Sequence, residues 1–154
     1  MGKTQSNARG EWDWTPHNGG QAEVANSDAR HRVVVCGRRW GKTELAAREA
    51  VRRAVSSSDT LIWWVAPTYK ETKIGYETVE DIARPSLADA GDCNRSPPQS
   101  IRFDNEWVSD SRIEFRSADR EGGLVGVGLD LLVLDEAAKV PEHSWKKELR
   151  PTLL

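Results

Sequence analysis

The sequence predicts an α/β domain with a central, mostly parallel sheet that is flanked by helices. Short apolar runs typical of buried strands alternate along the chain with segments of helical periodicity. A loop containing glycine and lysine follows the first of these runs, and two adjacent carboxylates follow the last. Both polar groups therefore come at strand ends, and the carboxyl ends of parallel strands are where such folds bind ligands.

The spacing of apolar residues assigns each element in turn. In the first half of the chain, helices are predicted at 21–25, 43–55 and 71–83, and strands at 32–36 and 61–65. In the second half, a loop is predicted at 88–99, a hairpin at 101–115, a strand at 131–134 and a short helix at 141–149. Three runs, at 32–36, 61–65 and 131–134, are almost wholly apolar, as expected of strands buried on both faces.

Composition limits the class of protein. The chain has 154 residues and a formal net charge of −2, which allows one domain with a core and gives no whole-chain field toward a polyanion. The many arginines at 30–53 indicate a solvated helix face together with the loop, rather than a nucleic-acid surface. Cys36 and Cys93 form no Cys-x-x-Cys pair, which indicates a reducing, intracellular setting. No stretch approaches transmembrane length.

The loop before the long helix predicts a phosphate site. Such a site needs backbone amides at the positive end of a helix, a glycine for close approach, a lysine for the β- and γ-phosphates and a hydroxyl for magnesium. Gly41, Lys42 and Thr43 supply the last three. The standard pattern also has a glycine five residues before Gly41, where this chain has Cys36, and the nearest glycine is Gly37. The alternative is an ordinary strand-to-helix turn, which leaves a cation misplaced at a helix amino terminus.

Two arginines lie inside this loop. Arg38 and Arg39 place guanidinium groups where charge develops when the γ-phosphate is transferred, so Arg38 is a candidate arginine finger acting in cis. The alternative for either arginine is an ion pair with a nearby carboxylate.

The strand at 131–134 ends in Asp135 and Glu136. Two carboxylates at the end of a buried strand are costly unless they serve a cation or a reaction. We therefore assign Asp135 to a magnesium shell and Glu136 to polarising the attacking water as a general base. The alternative is an acidic pair that stabilises a helix amino terminus.

With both motifs, the chain resembles the ATPase domain of the large terminase subunit, the DNA-packaging motor of tailed viruses. The likeness lies first in the arginine-bearing phosphate loop at 37–43 and the acidic motif at 132–138. It extends to the strand and turn after the first long helix, at 64–69, and to the segment beyond the acidic motif, at 149–153. An adenine-reading segment at 16–21 completes it.

This resemblance implies a P-loop NTPase of the additional-strand catalytic-glutamate class that uses ATP and Mg²⁺. It implies that Thr43 and Asp135 serve magnesium and that Glu136 and Arg38 are catalytic. The implied nucleotide-binding residues are Gln21, Gly37, Arg38, Arg39, Trp40, Gly41, Lys42 and Thr43, with Gln21 on the base. Many relatives also carry an arginine that acts in trans. Here Val125 stands in its place before Gly126, and Arg120 is out of register.

The resemblance also implies partners and a place in the cell. The implied partners are double-stranded viral DNA, the portal, the small terminase subunit and further copies of the chain in a ring. The implied location is the host cytoplasm, at the procapsid portal, and no membrane association is implied. Complete members continue with a coupling motif and a nuclease domain, which this sequence does not contain. We therefore expect a disordered tail at 1–13 and an incomplete ATPase domain at 14–154. In this class, the strand that lies between the strand before the phosphate loop and the strand before the acidic pair comes later in the sequence. Without it, the strands at 33–35 and 131–134 should each have an unpaired edge.

Two other interpretations remain open. A superfamily 2 helicase also has a Gly-Lys-Thr loop, an Ala-Pro-Thr turn and an Asp-Glu-Ala motif, and the turn at Ala66-Pro67-Thr68 fits either family. The Arg38-Arg39-Trp40 loop and the long insertion at 84–128 favour the terminase. The second alternative is a non-catalytic nucleotide-binding or assembly module, which an ATP turnover assay would distinguish.

Overall fold

The fold is known from a computed structural model, which describes 5–6, 12–13, 15–84, 91–105, 108–119, 124 and 127–153. Near the amino terminus, two short strands, β1 (Gln5–Ser6) and β2 (Trp12–Asp13), pair antiparallel. The other residues at 1–11 lie outside the described residues, so the disordered tail stays a prediction.

The core is a five-stranded mixed sheet, and its parallel centre confirms the predicted α/β class. In spatial order its strands are β4 (Gly91–Asn94), β5 (Ser100–Phe103), β6 (Ser111–Ser117), β3 (Leu61–Ala66) and β7 (Leu131–Leu134). Strand β3 lies parallel to both β6 and β7, whereas β4, β5 and β6 pair antiparallel. The parallel register brings the carboxyl ends of β3 and β7 to one edge, where Asp135 and Glu136 follow β7.

The predicted hairpin is confirmed, and the predicted loop at 88–99 is wrong in part. Ile101 of β5 pairs with Ile113 of β6, and both are fully buried. Residues 91–94, which lack the apolar alternation of a strand, form β4 because they pair along the outer edge of β5. Hydrogen bonding to a neighbouring strand makes this segment a strand, although its sequence has no strand periodicity.

Three predicted helices are confirmed as α1 (Gly19–Ala25), α2 (Lys42–Ser56) and α3 (Tyr69–Ala83). Helices α2 and α3 contact each other and cover one face of the sheet, where they pack against Ile62 and Trp64 of β3. On the other face, Trp63 and Val65 pack with the carboxyl-terminal helical segment, a π-helix at Ser144–Leu149 followed by a 3-10 turn at Arg150–Leu153. Within the described ranges, no helix is both long and apolar enough to span a membrane.

The predicted strand at 32–36 is wrong. Residues 32–37 adopt no regular secondary structure, and the side chains of Val33 and Val35 are 89% and 91% exposed. A strand exists only when a neighbour takes up its backbone hydrogen bonds, and the sheet ends at β7 without pairing to this segment. Within the described part of the chain, β7 therefore has the expected unpaired edge, whereas 33–35 forms no strand that could have one.

Gly75 gives a test of the core between α3 and β3. A Cβ on Gly75 would lie 2.4 Å from Nε1 of the buried Trp64 indole. Helix propensity alone favours alanine over glycine by about 1 kcal/mol. We expect the clash to dominate, so that Gly75→Ala lowers the free energy of unfolding in a urea titration by about 1–3 kcal/mol. Gly19→Ala, which meets nothing within 4 Å, should be close to neutral. A Gly75→Ala protein as stable as the parent would show that the indole can move aside.

Candidate active site

The loop that leads into α2 is tightly constrained at Gly41. This residue is the N-cap of α2 and has φ +91°, a left-handed conformation that favours glycine. A Cβ at this position would lie 2.5 Å from Nε2 of Gln21. Backbone conformation and available space therefore both require glycine here. Gly37, by contrast, has open space where a Cβ would be.

Gln21 holds the loop from α1. Its buried side chain donates from Nε2 to the carbonyl of Trp40 at 3.1 Å, and its Oε1 accepts from the amide of His17 at 2.8 Å. The Trp40 ring lies against Gly20, where a Cβ would approach its Cζ2 to 3.0 Å. Both polar atoms of the Gln21 side chain are thus engaged within the protein, and its contact with an adenine base stays a prediction.

Lys42, the first residue of α2, folds back over the loop. Its ammonium group donates to the carbonyls of Cys36 at 3.1 Å and Gly37 at 3.4 Å. Among the described residues it forms no ion pair. A lysine held by carbonyl groups at the positive end of a helix is well placed to accept an anion. Thr43 follows it and is half-buried.

Arg38 and Arg39 lie exposed on the same loop. Neither makes an ion pair with any carboxylate in the described part of the chain, so the ion-pair alternative finds no support there. Arg39 has φ +64°, a left-handed conformation that turns the loop sharply before Gly41. Three cationic side chains thus lie together on one loop, and this concentration of positive charge favours an anionic ligand.

The acidic pair lies at the neighbouring edge, beyond β7. The amide of Asp135 bonds the carbonyl of Val65 at 2.9 Å, which continues the pairing of β7 with β3. One carboxylate oxygen of Asp135 accepts from the Glu136 amide at 3.0 Å. The pKa of Asp135 is raised, chiefly by burial and further by the charges of Glu136 and Glu71, while Lys42 acts to lower it.

Glu136 occupies an unusual backbone position. It has φ +50° and ψ +41°, and its side chain is 49% exposed. Only a single 3-10 turn, Ala137–Lys139, follows, and the Glu136 side chain makes no capping hydrogen bond to it. The alternative of an acidic pair that stabilises a helix amino terminus therefore finds no support.

Sequence reasoning missed two further charged residues at this edge. Lys139 contacts Glu71 of α3 at 2.8 Å and Glu136 at 3.5 Å. The pKa of Glu71 is lowered, first by its hydrogen bond from Lys139 and then by that from Thr68. Thr68 and Glu71 form a capping box at the start of α3, which the sequence pattern could have revealed. The contact with Lys139 depends on β3 lying beside β7, which the sequence pattern does not encode.

The structure places the predicted residues in two groups. Gln21 and Lys42 hold the loop at 37–43 by hydrogen bonds, and Asp135 and Glu136 lie together beyond β7. Arg120 and Val125, considered for a trans arginine, lie outside the described residues.

Comparison with known proteins identifies the family. Residues 33–152 match the family described as terminase large subunit, T4likevirus-type, N-terminal. This chain belongs to that family. The match decides against the helicase interpretation.

Similar proteins agree with this assignment to the terminase family. The chain is 32% identical over 153 residues to the large terminase subunit of Thermus virus P23-45, and 32% identical over 155 residues to that of Thermus phage G20c. Each alignment covers 91% of this chain but 31% of the relative, so the chain spans about a third of their length. The solved large terminase ATPase domain of Thermus phage P74-26 superposes with a TM-score of 0.74 at 32% identity, covering 91% of this chain and 61% of that one.

Proposed function

We propose that this chain binds and hydrolyses ATP with Mg²⁺, as part of the motor that packages viral DNA. The observation that carries this proposal is the geometry of the loop, where Gly41 caps α2 in a left-handed conformation and the Lys42 ammonium folds back over the carbonyls of Cys36 and Gly37. The solved relative with the same fold is itself named an ATPase domain.

The phosphate loop would bind the triphosphate. The first amides of α2 have no acceptor within the helix and would donate to the phosphates. The ammonium of Lys42 can exchange its two carbonyl partners for phosphate oxygens, which are stronger acceptors. Arg38, exposed and without an ion pair among the described residues, would contact the γ-phosphate and stabilise the charge that develops there. Arg39, Trp40 and Gln21 would shape the loop and the nucleotide pocket around it.

The residues present fit magnesium. Mg²⁺ prefers oxygen ligands and commonly takes one or two from protein, with the rest from phosphate and water. The hydroxyl of Thr43 and the carboxylate of Asp135, which burial makes costly to ionise without a cation, are such ligands. When bound, the ion neutralises charge on the phosphates.

Glu136 would act on the water. Its carboxylate is exposed on the side of the acidic edge and can accept a proton from a water molecule aimed at the γ-phosphate. The left-handed backbone of Glu136 sets the direction in which this carboxylate leaves the strand end.

By family, the complete motor would act on double-stranded DNA with the portal and the small terminase subunit. We propose a ring of copies in the host cytoplasm, at the procapsid portal, as its working form. Because this chain spans 31% of its curated relatives, DNA translocation is proposed for the whole protein of this family.

ATP binding and turnover test this function. We expect the chain to bind ATP by calorimetry in the presence of Mg²⁺ and to release phosphate. Lys42→Ala should weaken binding about 30-fold, because it removes a charge-assisted contact that contributes about 2 kcal/mol. Lys73→Ala, an exposed lysine of α3 paired with Glu77, is the matched control and should bind as the parent does.

The outcomes separate the candidates. No ATP binding by the parent chain would reject the proposal. Binding without phosphate release would favour the non-catalytic module. Unchanged affinity in Lys42→Ala would move the site away from this loop.

A further inference from the structure

We propose that Lys139 is a positioning residue for Glu136. It joins the Glu136 carboxylate to Glu71 on the first turn of α3, and so fixes the direction of Glu136 toward the triphosphate. This inference rests on the proposed function, because it assigns a role within the same site.

The contacts form a chain from a rigid element to Glu136. Glu71 is fixed by Thr68, whose hydroxyl donates to Glu71 Oε2 at 3.0 Å and accepts from the Glu71 amide at 3.4 Å. The other oxygen, Oε1, lies 2.8 Å from the Lys139 ammonium. That ammonium lies 3.5 Å from Oε2 of Glu136. Glu136 is therefore linked through one cation to the amino-terminal turn of α3.

The backbone supports this arrangement. Glu136 lies in the left-handed region, which a residue with a side chain seldom occupies unless its surroundings hold it there. The amide of Lys139 donates to the carbonyl of Glu136 at 2.9 Å, which closes a turn of four residues, 136–139. This turn brings Lys139 back over Glu136.

The charges explain what Lys139 prevents. Asp135, Glu136 and Glu71 are three carboxylates at one edge, and the charges of Glu136 and Glu71 both act on Asp135. Without Lys139, like-charge repulsion would drive Glu136 outward, away from the acidic edge. Exposed ion pairs stabilise folds little, and Lys139 is 59% exposed. The effect of Lys139 is therefore expected in catalysis more than in stability.

Kinetics of four variants test this role. Lys139→Met should lower kcat about tenfold or more at nearly unchanged KM, because a base displaced by a fraction of an ångström is poorly aligned. Lys139→Arg retains the charge and should restore most of the activity. Glu71→Gln should lower kcat by less than Lys139→Met does. Lys146→Met, which removes an exposed lysine paired with Glu142, is the matched control. A Lys139→Met protein with parental kcat would overturn the inference.

A second readout needs neither ATP nor turnover. Side-chain carboxyl carbons can be observed by ¹³C NMR and assigned with Glu136→Gln and Glu71→Gln. We expect Lys139→Met to shift the resonances of both carboxylates and Lys139→Arg to leave them near their parental positions. If the chain binds ATP but Lys139→Met leaves the Glu136 resonance unmoved, this inference fails and the proposed function stands. If the chain binds no ATP, the proposed function fails, and the role of Lys139 toward the triphosphate fails with it.

Discussion

Replacing Glu136 by glutamine is expected to lower the rate of ATP hydrolysis by about 10²–10⁴-fold, the usual contribution of a general base. The amide is nearly isosteric with the carboxylate but cannot take a proton from water. ATP affinity should stay within about threefold of the parent, because phosphate binding falls to the loop at Lys42 rather than to Glu136. Phosphate release under single-turnover conditions, together with calorimetric titration of ATP, measures both quantities.

The control for this change is Glu77→Gln. Glu77 is an exposed carboxylate of α3 that pairs with Lys73. Its replacement changes net charge by the same amount as Glu136→Gln and should leave turnover unaltered. Parental turnover in Glu136→Gln would remove Glu136 from its role and direct attention to Glu71, the other carboxylate that contacts Lys139.

The second large effect is expected at Gly41. Gly41→Ala should weaken ATP binding by about 100-fold or more. The added Cβ would lie 2.5 Å from Nε2 of Gln21. The alanine would also have to adopt φ +91°, which a residue with a side chain rarely does. Relief of either conflict breaks the hydrogen bond from Gln21 to the Trp40 carbonyl and moves the amides at the start of α2. A displacement of the donors by 1 Å removes most of their benefit to a phosphate.

Gly37→Ala is the comparison within the same loop, and it tests the nucleotide contact that the family resemblance implies for Gly37. Nothing lies within 4 Å of a Cβ at Gly37, so we expect near-parental ATP affinity. Thermal unfolding of both variants shows whether the domain remains folded. Gly41→Ala with parental affinity would mean that the loop adjusts without cost. Strong impairment by Gly37→Ala would mean that the bound loop brings this residue closer to phosphate than the ligand-free loop does.

The sequence by itself determined the elements whose signals are local. Helices α2 and α3 follow from the helical spacing of apolar residues, and β3 and β7 follow from uninterrupted apolar runs. It also placed Lys42 at the start of α2 and Asp135 directly after β7, where the structure has them. These inferences succeed because they depend on residues adjacent in the chain.

Only the tertiary structure decided which segments are paired, because a strand depends on its neighbours. Val33 and Val35 have the residue types of a buried strand, yet their segment has no pairing partner among the described residues and both are exposed. Residues 91–94 show no strand pattern, yet pair with β5. The contact of Lys139 with Glu71 and Glu136 likewise arises because β3 and β7 lie side by side, bringing together charges distant in sequence. Hydrogen bonds between strands and ion pairs between loops are made across space, and local sequence patterns do not specify them.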